Sequence, residues 1–334
     1  MKSPFKLSGE RILVTGATGF LGSHLCRLLC AASKEVHAIS RRPHVSSACL
    51  RWWQADLADF DATRDLLNAV KPEVIFHLTS HGWGAPGLEH VLPTLRNDLV
   101  ATVNLLTAIA ELKVRRVILT ASMEEPQSDG LELVPSSPYA AAKWASGVYA
   151  RMFHRLYQTP VVVARIFMAY GPGQPIQKLI PYVIRSLLKE EAPKLSSGQR
   201  LVDWIYVDDV VGGLLAAAQA SAIEGCTVDL GSGSLVSIRD MVDLLVSLVG
   251  PQIRPLYGAL PPRPMEPVRA ANIKDAYDKL GWRAEMPLEK GLELTVNWYK
   301  TQLKGTDFAA RFRMTTLEEN QSQRHGRLEP RSKS

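Results

Sequence analysis

Short apolar runs alternate with stretches of helical spacing along the first half of the chain. The runs at residues 11–14, 35–40, 50–54, 74–78, 116–121 and 161–167 predict six strands. Between them, Leu21, Leu25, Leu28 and Leu29 recur at helical spacing, and residues 62–70, 94–112 and 139–157 predict further helices. Strict alternation of this kind predicts an α/β fold with a doubly wound parallel sheet, helices on both faces, and ligands at the carboxyl ends of the strands. No internal repeat is visible. After residues 170–173 the rhythm changes. Helices are expected at 180–189, 208–222, 236–249 and 288–303, strands at 202–207 and 226–230, and a proline-rich stretch at 255–267. The expected division is a Rossmann-type domain over residues 1–172, with elements returning to it near 208–232, and a smaller C-terminal substrate-binding lobe over 173–303. Residues 304–334 are polar, charged and poor in aliphatics, the composition of a disordered tail.

Composition narrows the classes. Apolar residues make up 46% of the 334, enough for a sizeable core. The net charge of +6 is scattered, with Arg41-Arg42 and Arg115-Arg116 its tightest clusters, so no nucleic-acid footprint is expected. Cys26, Cys30, Cys49 and Cys226 lack metal-ligand spacing, and no metal site is expected. Cys26 and Cys30, one helical turn apart, read as small buried residues. There is no signal-peptide core at the N-terminus and no apolar run long enough to span a bilayer, so a cytoplasmic protein with no membrane partner is expected.

The first strand leads directly into Thr15-Gly16-Ala17-Thr18-Gly19-Phe20-Leu21-Gly22 and then into a helix. That order makes a glycine pattern informative. Gly16 permits a tight turn, Gly19 lets a pyrophosphate approach the backbone, and Gly22 lets helix and sheet pack closely. The helix N-terminus offers free N–H groups and its positive dipole end to phosphate. The second strand ends Ile39-Ser40-Arg41-Arg42, with no carboxylate for a ribose 2′-hydroxyl. A serine and two guanidinium groups suit a 2′-phosphate, so NADP is expected, with NAD possible. Both arginines also have a plain reading as solvated loop residues. Tyr139 and Lys143 stand four apart on one helix face. An ammonium beside the phenol, together with an oxidised nicotinamide ring, favours the phenolate and suits Tyr139 to move a proton at a carbonyl or alcohol oxygen.

With these landmarks the chain resembles the extended short-chain dehydrogenase/reductase superfamily, in its nucleotide-sugar epimerase, dehydratase and reductase group, over residues 10–303. Further landmarks are Ala55-Asp56-Leu57, His77-Leu78-Thr79-Ser80, Asn97 with residues 102–106, residues 137–143, Tyr170-Gly171-Pro172-Gly173-Gln174, residues 203–209, and Arg263-Pro264-Met265-Glu266. The resemblance implies a cofactor set of Gly16, Thr18, Gly19, Phe20, Leu21, Gly22, Ser40, Arg41, Arg42, Asp56, Leu57, Leu78, Thr79, Ser80, Asn97, Tyr139, Lys143 and Ile166. In it, Asp56 meets the adenine amino group and Leu57 the base. It implies that Ser122 hydrogen-bonds the reacting sugar oxygen. Glu124 falls where 4,6-dehydratases keep a glutamate base, but Met123 replaces the polar residue that often precedes it, which disfavours dehydration.

Substrate contacts are expected at Ser122, Met168, Lys178, Arg200 and Arg263. Met168 stands where an asparagine is common, and Val202 where an arginine often grips the diphosphate. The plainer reading of Lys178 and Arg200 is as solvated surface charges. The first functional expectation is an NADPH-dependent 4-ketoreductase of a 4-keto-6-deoxy nucleotide sugar, with Tyr139 as general acid. The alternative is a nucleotide-sugar C4 epimerase. A 4,6-dehydratase or a non-catalytic dinucleotide-binding protein ranks below both. The resemblance also implies a homodimer through helices 94–112 and 139–157.

Overall fold

The apolar runs become strands, and all but the edge strand at Leu50–Gln54 are largely buried on both faces. In the computed structural model, which describes residues 10–304 except 33–34, 81, 83, 127–132, 251 and 264, ten strands and ten α-helices are defined. The first part comprises β1 (Ile12–Thr15), α1 (Phe20–Ala31), β2 (Val36–Ser40), β3 (Leu50–Gln54), α2 (Phe60–Val70) and β4 (Val74–His77). There follow α3 (Val91–Thr94), a π-helical segment Leu95–Val100, α4 (Ala101–Ile109), β5 (Arg116–Ser122), α5 (Pro138–Tyr157) and β6 (Val161–Ile166). Seven strands form a parallel sheet in the order β3-β2-β1-β4-β5-β6-β9, with β9 (Thr227–Leu230) pairing β6. Ile12, Val14, Phe76, Ile118 and Val162 pack into one apolar core, while Leu13, Ile75, Val117, Leu119 and Val163 pack into another. Successive side chains point to opposite faces, so unbroken apolar runs are what a sheet covered on both sides requires.

The remaining elements are β7 (Met168–Tyr170), α6 (Leu179–Leu188), β8 (Leu201–Tyr206), α7 (Val207–Gln219), β10 (Leu235–Ser237), α8 (Ile238–Val249), α9 (Ile273–Leu280) and α10 (Leu288–Lys304). A three-stranded sheet, β10-β8-β7, builds a third core with α6, α8 and α10. Asp203, fully buried on β8, accepts from the backbone N–H groups of Ser232, Gly233 and Ala271 at 2.8–2.9 Å. It thereby ties the chain after β9 to the small sheet.

Several expectations need correction. β7, β10 and α9 were not foreseen; β7 and β10 hold three residues each, too few for a period to register. Helix 94–112 instead starts at Val91, passes through the π-helical segment and ends at Ile109. Cys30 is not simply buried. It forms a disulfide with Cys49, because the loop before β3 approaches the end of α1 in space, while Cys26 is the expected buried thiol. Beyond Lys304, the polar tail lies outside the described residues. Among the described residues no helix is long and apolar enough to cross a membrane, and no metal-binding group of side chains is found.

Candidate active site

The strand order reverses between β1 and β4, so a crevice opens at the carboxyl ends of those strands. The glycine turn fills its rim. Gly16 has φ 65°, and a Cβ there would sit 2.7 Å from the backbone of Leu78. Gly19 donates its N–H to Gly16 O and caps α1, with Thr18 and Gly19 exposed beside it. Gly22 faces the backbone of Gly16 and Ala17, leaving no room for a side chain. The turn is thus closed on the sheet side and open on the other, as a backbone cradle for a pyrophosphate must be. Phe20 and Leu21, half-buried, start the helix behind it.

Around this cradle, Ser40 closes β2, and its Oγ accepts from the Arg42 N–H at 3.1 Å. Arg41 donates to the Asn97 side-chain oxygen at 3.2 Å, which joins the end of β2 to the π-helical segment. Asp56 accepts from Ala58 N–H at 3.0 Å and from Arg96 at 2.9 Å. Thr79 and Ser80 follow β4. Leu57, Leu78 and Ile166 are core residues at the strand ends, so their side chains form the floor. This donor set, a glycine cradle with a basic strand end, fits a dinucleotide.

Ser122 ends β5, and Tyr139 and Lys143 rise from the first turns of α5. Ser137 caps that helix by accepting from Ala140 N–H at 3.1 Å, with Pro138 at its first position. The side chains of Ser122 and Tyr139 are hydrogen-bonded. Lys143 is buried and donates to Thr120 O at 3.2 Å and, at longer range, to Thr79 O at 3.5 Å. Its ammonium also lies 3.7 Å from the Asp98 carboxylate. Burial, followed by the charge of Glu124, pushes the Tyr139 hydroxyl above the usual phenol range, while the bond from Ser122 pulls the other way. In the protein alone, burial and the neighbouring carboxylates therefore hold the phenol in its neutral form.

Glu124 points toward the crevice, whereas Met123 is buried in the core beneath. Burial, then Glu266, raises the Glu124 carboxyl above its ordinary range against the pull of Arg200, Lys178 and Arg263. These charges form one cluster. Lys178 is half-buried and donates to Gly82 O at 2.6 Å; Arg200 donates to Glu266 at 2.6 Å. Neither is the solvated surface charge of its plainer reading. Arg263 is exposed and 3.6 Å from Glu266. Met168 packs into the apolar cores on either side of β7 and offers no polar group.

Sequence reasoning missed two buried polar constellations. Glu125 accepts from Ser122 N–H at 3.2 Å and pairs with Arg165, which also holds Asp229 at 2.8 Å. Charge at a strand position otherwise filled by apolar residues was the available signal. Arg165→Met is expected to lower stability by about 3 kcal/mol, because two buried carboxylates lose their partner. Urea unfolding monitored by circular dichroism measures it, and a loss under 1 kcal/mol contradicts that account. The second constellation is Thr15–His77–Thr102–Asp98. His77 is buried, with Nδ1 2.9 Å from Thr15 Oγ1 and Nε2 3.0 Å from Thr102 Oγ1.

The profile of the NAD dependent epimerase/dehydratase family matches residues 12–231. A UDP-glucose 4-epimerase of Mycolicibacterium smegmatis is 30% identical over 315 residues, covering 87% of this chain and 99% of that protein. Among solved structures, a UDP-glucose 4-epimerase of Thermotoga maritima with UDP-glucose superposes with a TM-score of 0.80 at 25% identity, covering 88% of this chain and 100% of that one. A UDP-glucuronic acid 4-epimerase of Bacillus cereus, in complex with UDP-glucuronic acid and NAD, gives 0.78 at 25% identity, covering 87% and 99%.

Proposed function

As the chain belongs to the NAD dependent epimerase/dehydratase family, an NAD(P)-dependent group of the extended short-chain dehydrogenase/reductase type, we propose that it inverts C4 of a nucleotide-activated hexose. What favours this reading over the net 4-ketoreduction expected first is the likeness to 4-epimerases of UDP-glucose and UDP-glucuronic acid; the Ser122–Tyr139–Lys143 set at the strand ends, facing a glycine cradle, would serve either reaction. When bound, the nicotinamide supplies reversible hydride transfer at C4. Tyr139 takes the C4 hydroxyl proton as the alcohol becomes a ketone and returns it when the hydride comes back to the opposite face. Ser122 donates to the same oxygen and shares the charge that develops on it. Lys143 holds a positive charge at the end of β5 that favours the phenolate form of Tyr139. Arg200, Arg263 and Lys178 hold the nucleotide diphosphate, and Glu124 takes a sugar hydroxyl. Dehydration is disfavoured, since the side chain at position 123 carries no proton and lies in the core.

The test is incubation with UDP-glucose and separation of the sugar nucleotides, with reduced-nicotinamide absorbance followed in parallel. Appearance of the C4 epimer without net change in cofactor supports the reading. Stoichiometric loss of NADPH with a 4-keto-6-deoxy nucleotide sugar, and no epimer, replaces it with net reduction.

The cofactor preference is part of the proposal. Ser40, Arg41 and Arg42 favour the 2′-phosphate of NADP. An Arg41→Ala/Arg42→Ala variant is expected to bind NADP about 10–100-fold more weakly, with NAD affinity changed less than 3-fold, since only a charge-assisted contact is lost. Equal loss for both dinucleotides, by calorimetric titration, assigns the arginines elsewhere. The expected homodimer belongs to the same reading, on the exposed apolar residues Leu92, Leu95, Val148 and Leu156 along α3, the π-helical segment and α5.

A further inference from the structure

We infer that Asp98, carried on the π-helical turn beneath the active site, is a positioning residue that holds Lys143 and sets the working pH of Tyr139. The inference rests on the proposed proton transfer by Tyr139. Its observations are geometric. Asp98 has a fully buried side chain, and its carboxylate lies 3.7 Å from the Lys143 ammonium, itself only 5% exposed. Two charges this deep in a protein persist as a pair, because either one alone is costly to bury.

The backbone around Asp98 is arranged to hold it there. Residues Leu95–Val100 adopt π-helical geometry between α3 and α4. Such a turn inserts an extra residue into a helix and re-aims the side chains on it, and it recurs at functional sites. Asp98 O accepts from Thr102 Oγ1 at 2.5 Å and from Ser146 Oγ at 3.4 Å, so the turn is bonded both to its own helix and to α5. Ser146 stands three residues after Lys143, and the bond fixes the turn against the helix that carries the lysine.

The chemical consequence follows from sign. An ammonium near Tyr139 favours phenolate, and a carboxylate behind that ammonium weakens the effect. Burial lowers the Lys143 ammonium below its ordinary range, and Asp98 pulls the other way, keeping the lysine protonated to higher pH than burial alone would allow. Other charged or titratable groups face this pair: Glu124 and Glu125 after β5, and His77 on β4. They remain in place when Asp98 is replaced. Neutralising Asp98 therefore moves both Tyr139 and Lys143 titrations toward acid.

The experiment compares the wild type with Asp98→Asn and Asp98→Glu, each as the full chain saturated with cofactor. The pH profile of turnover is recorded, and tyrosinate absorbance is titrated without substrate, with Tyr139→Phe marking the residue's share. In Asp98→Asn, both limbs of the profile and the Tyr139 absorbance step are expected to move acidward by about one pH unit. Asp98→Glu is expected to restore the wild-type positions. Lower turnover with an unmoved profile and unmoved absorbance step would reduce Asp98 to packing and overturn the inference. Where Asp98→Asn does not fold, Asp98→Ser makes the same charge loss with a smaller group. If the wild type has no activity on nucleotide sugars while the absorbance step moves, the proposed reaction fails and the role of Asp98 stands.

Discussion

Tyr139→Phe is expected to lower C4 interconversion by about 10²–10⁴-fold while leaving dinucleotide affinity within 2- to 3-fold of wild type. The substitution removes one hydroxyl and keeps the ring, so the packing at the start of α5 and the cap from Ser137 survive. On the proposed reaction, what disappears is the group that takes and returns the C4 proton, and Ser122 has no base of its own to replace it. Burial and Glu124 hold the phenol in its protonated form in the protein alone. The positive charges gathered during turnover must therefore shift it, and no water at bulk pH does the same work. Steady-state turnover with calorimetric binding of cofactor separates the two quantities. Turnover within 5-fold of wild type would remove Tyr139 from the chemistry, whereas a parallel loss of cofactor binding would make its role one of binding.

The second large effect is on stability in acid. His77 is buried on β4, and burial, reinforced by the nearby Lys143 charge, lowers its pKa from 6.5 to about 3. The hydrogen bonds explain how a neutral ring is held. Thr102 gives its proton to Asp98 O and can only accept at Oγ1, so Nε2 of His77 carries the hydrogen. Thr15 Oγ1 accepts from the N–H groups of Leu78 and Thr79 and turns its own proton to Nδ1. A second ring proton has nowhere to go. Between pH 6.5 and about 3 the unfolded chain binds a proton here that the native protein does not, so stability falls as pH falls through that window. One such group costs about 1.4 kcal/mol per pH unit, or roughly 2 kcal/mol at pH 5 relative to pH 7. Urea midpoints of wild type and His77→Gln, measured from pH 7 to pH 5, isolate it. The variant is expected to lose that much less stability over the interval; parallel curves would show that His77 titrates normally.

Much of the site was legible because its residues obey local rules. The glycine turn shows in its spacing between a strand and a helix, although it is Leu78 and Thr79 that close the space at Gly16; the Tyr139–Lys143 pair shows in helix periodicity, and the strands in unbroken apolar runs. Met123 could be read as disfavouring dehydration from its chemistry alone, while its burial in the core became visible only in the structure. The charges proposed to hold the substrate were less legible. Lys178 and Arg200 look like any surface cation in sequence, and only the approach of Gly82 and Glu266 distinguishes them. Asp98 carried a faint signal, a carboxylate on the helix face that Thr102, Leu105 and Ile109 bury. Its partner, Lys143, lies on another helix.

The sequence by itself determined the layered α/β architecture, the strand–glycine turn–helix order at Gly16–Gly22 and the placement of Tyr139 and Lys143 on one helix face, because each depends on neighbours along the chain. The tertiary structure alone decided which charges meet. The pairs Asp98–Lys143, Arg165–Asp229 and Arg200–Glu266 and the Cys30–Cys49 disulfide all join separate segments. The physical reason is the range of the forces involved. Turn and helix preferences act over a few residues, whereas the desolvation that makes a buried charge need its partner exists only after distant segments have packed together.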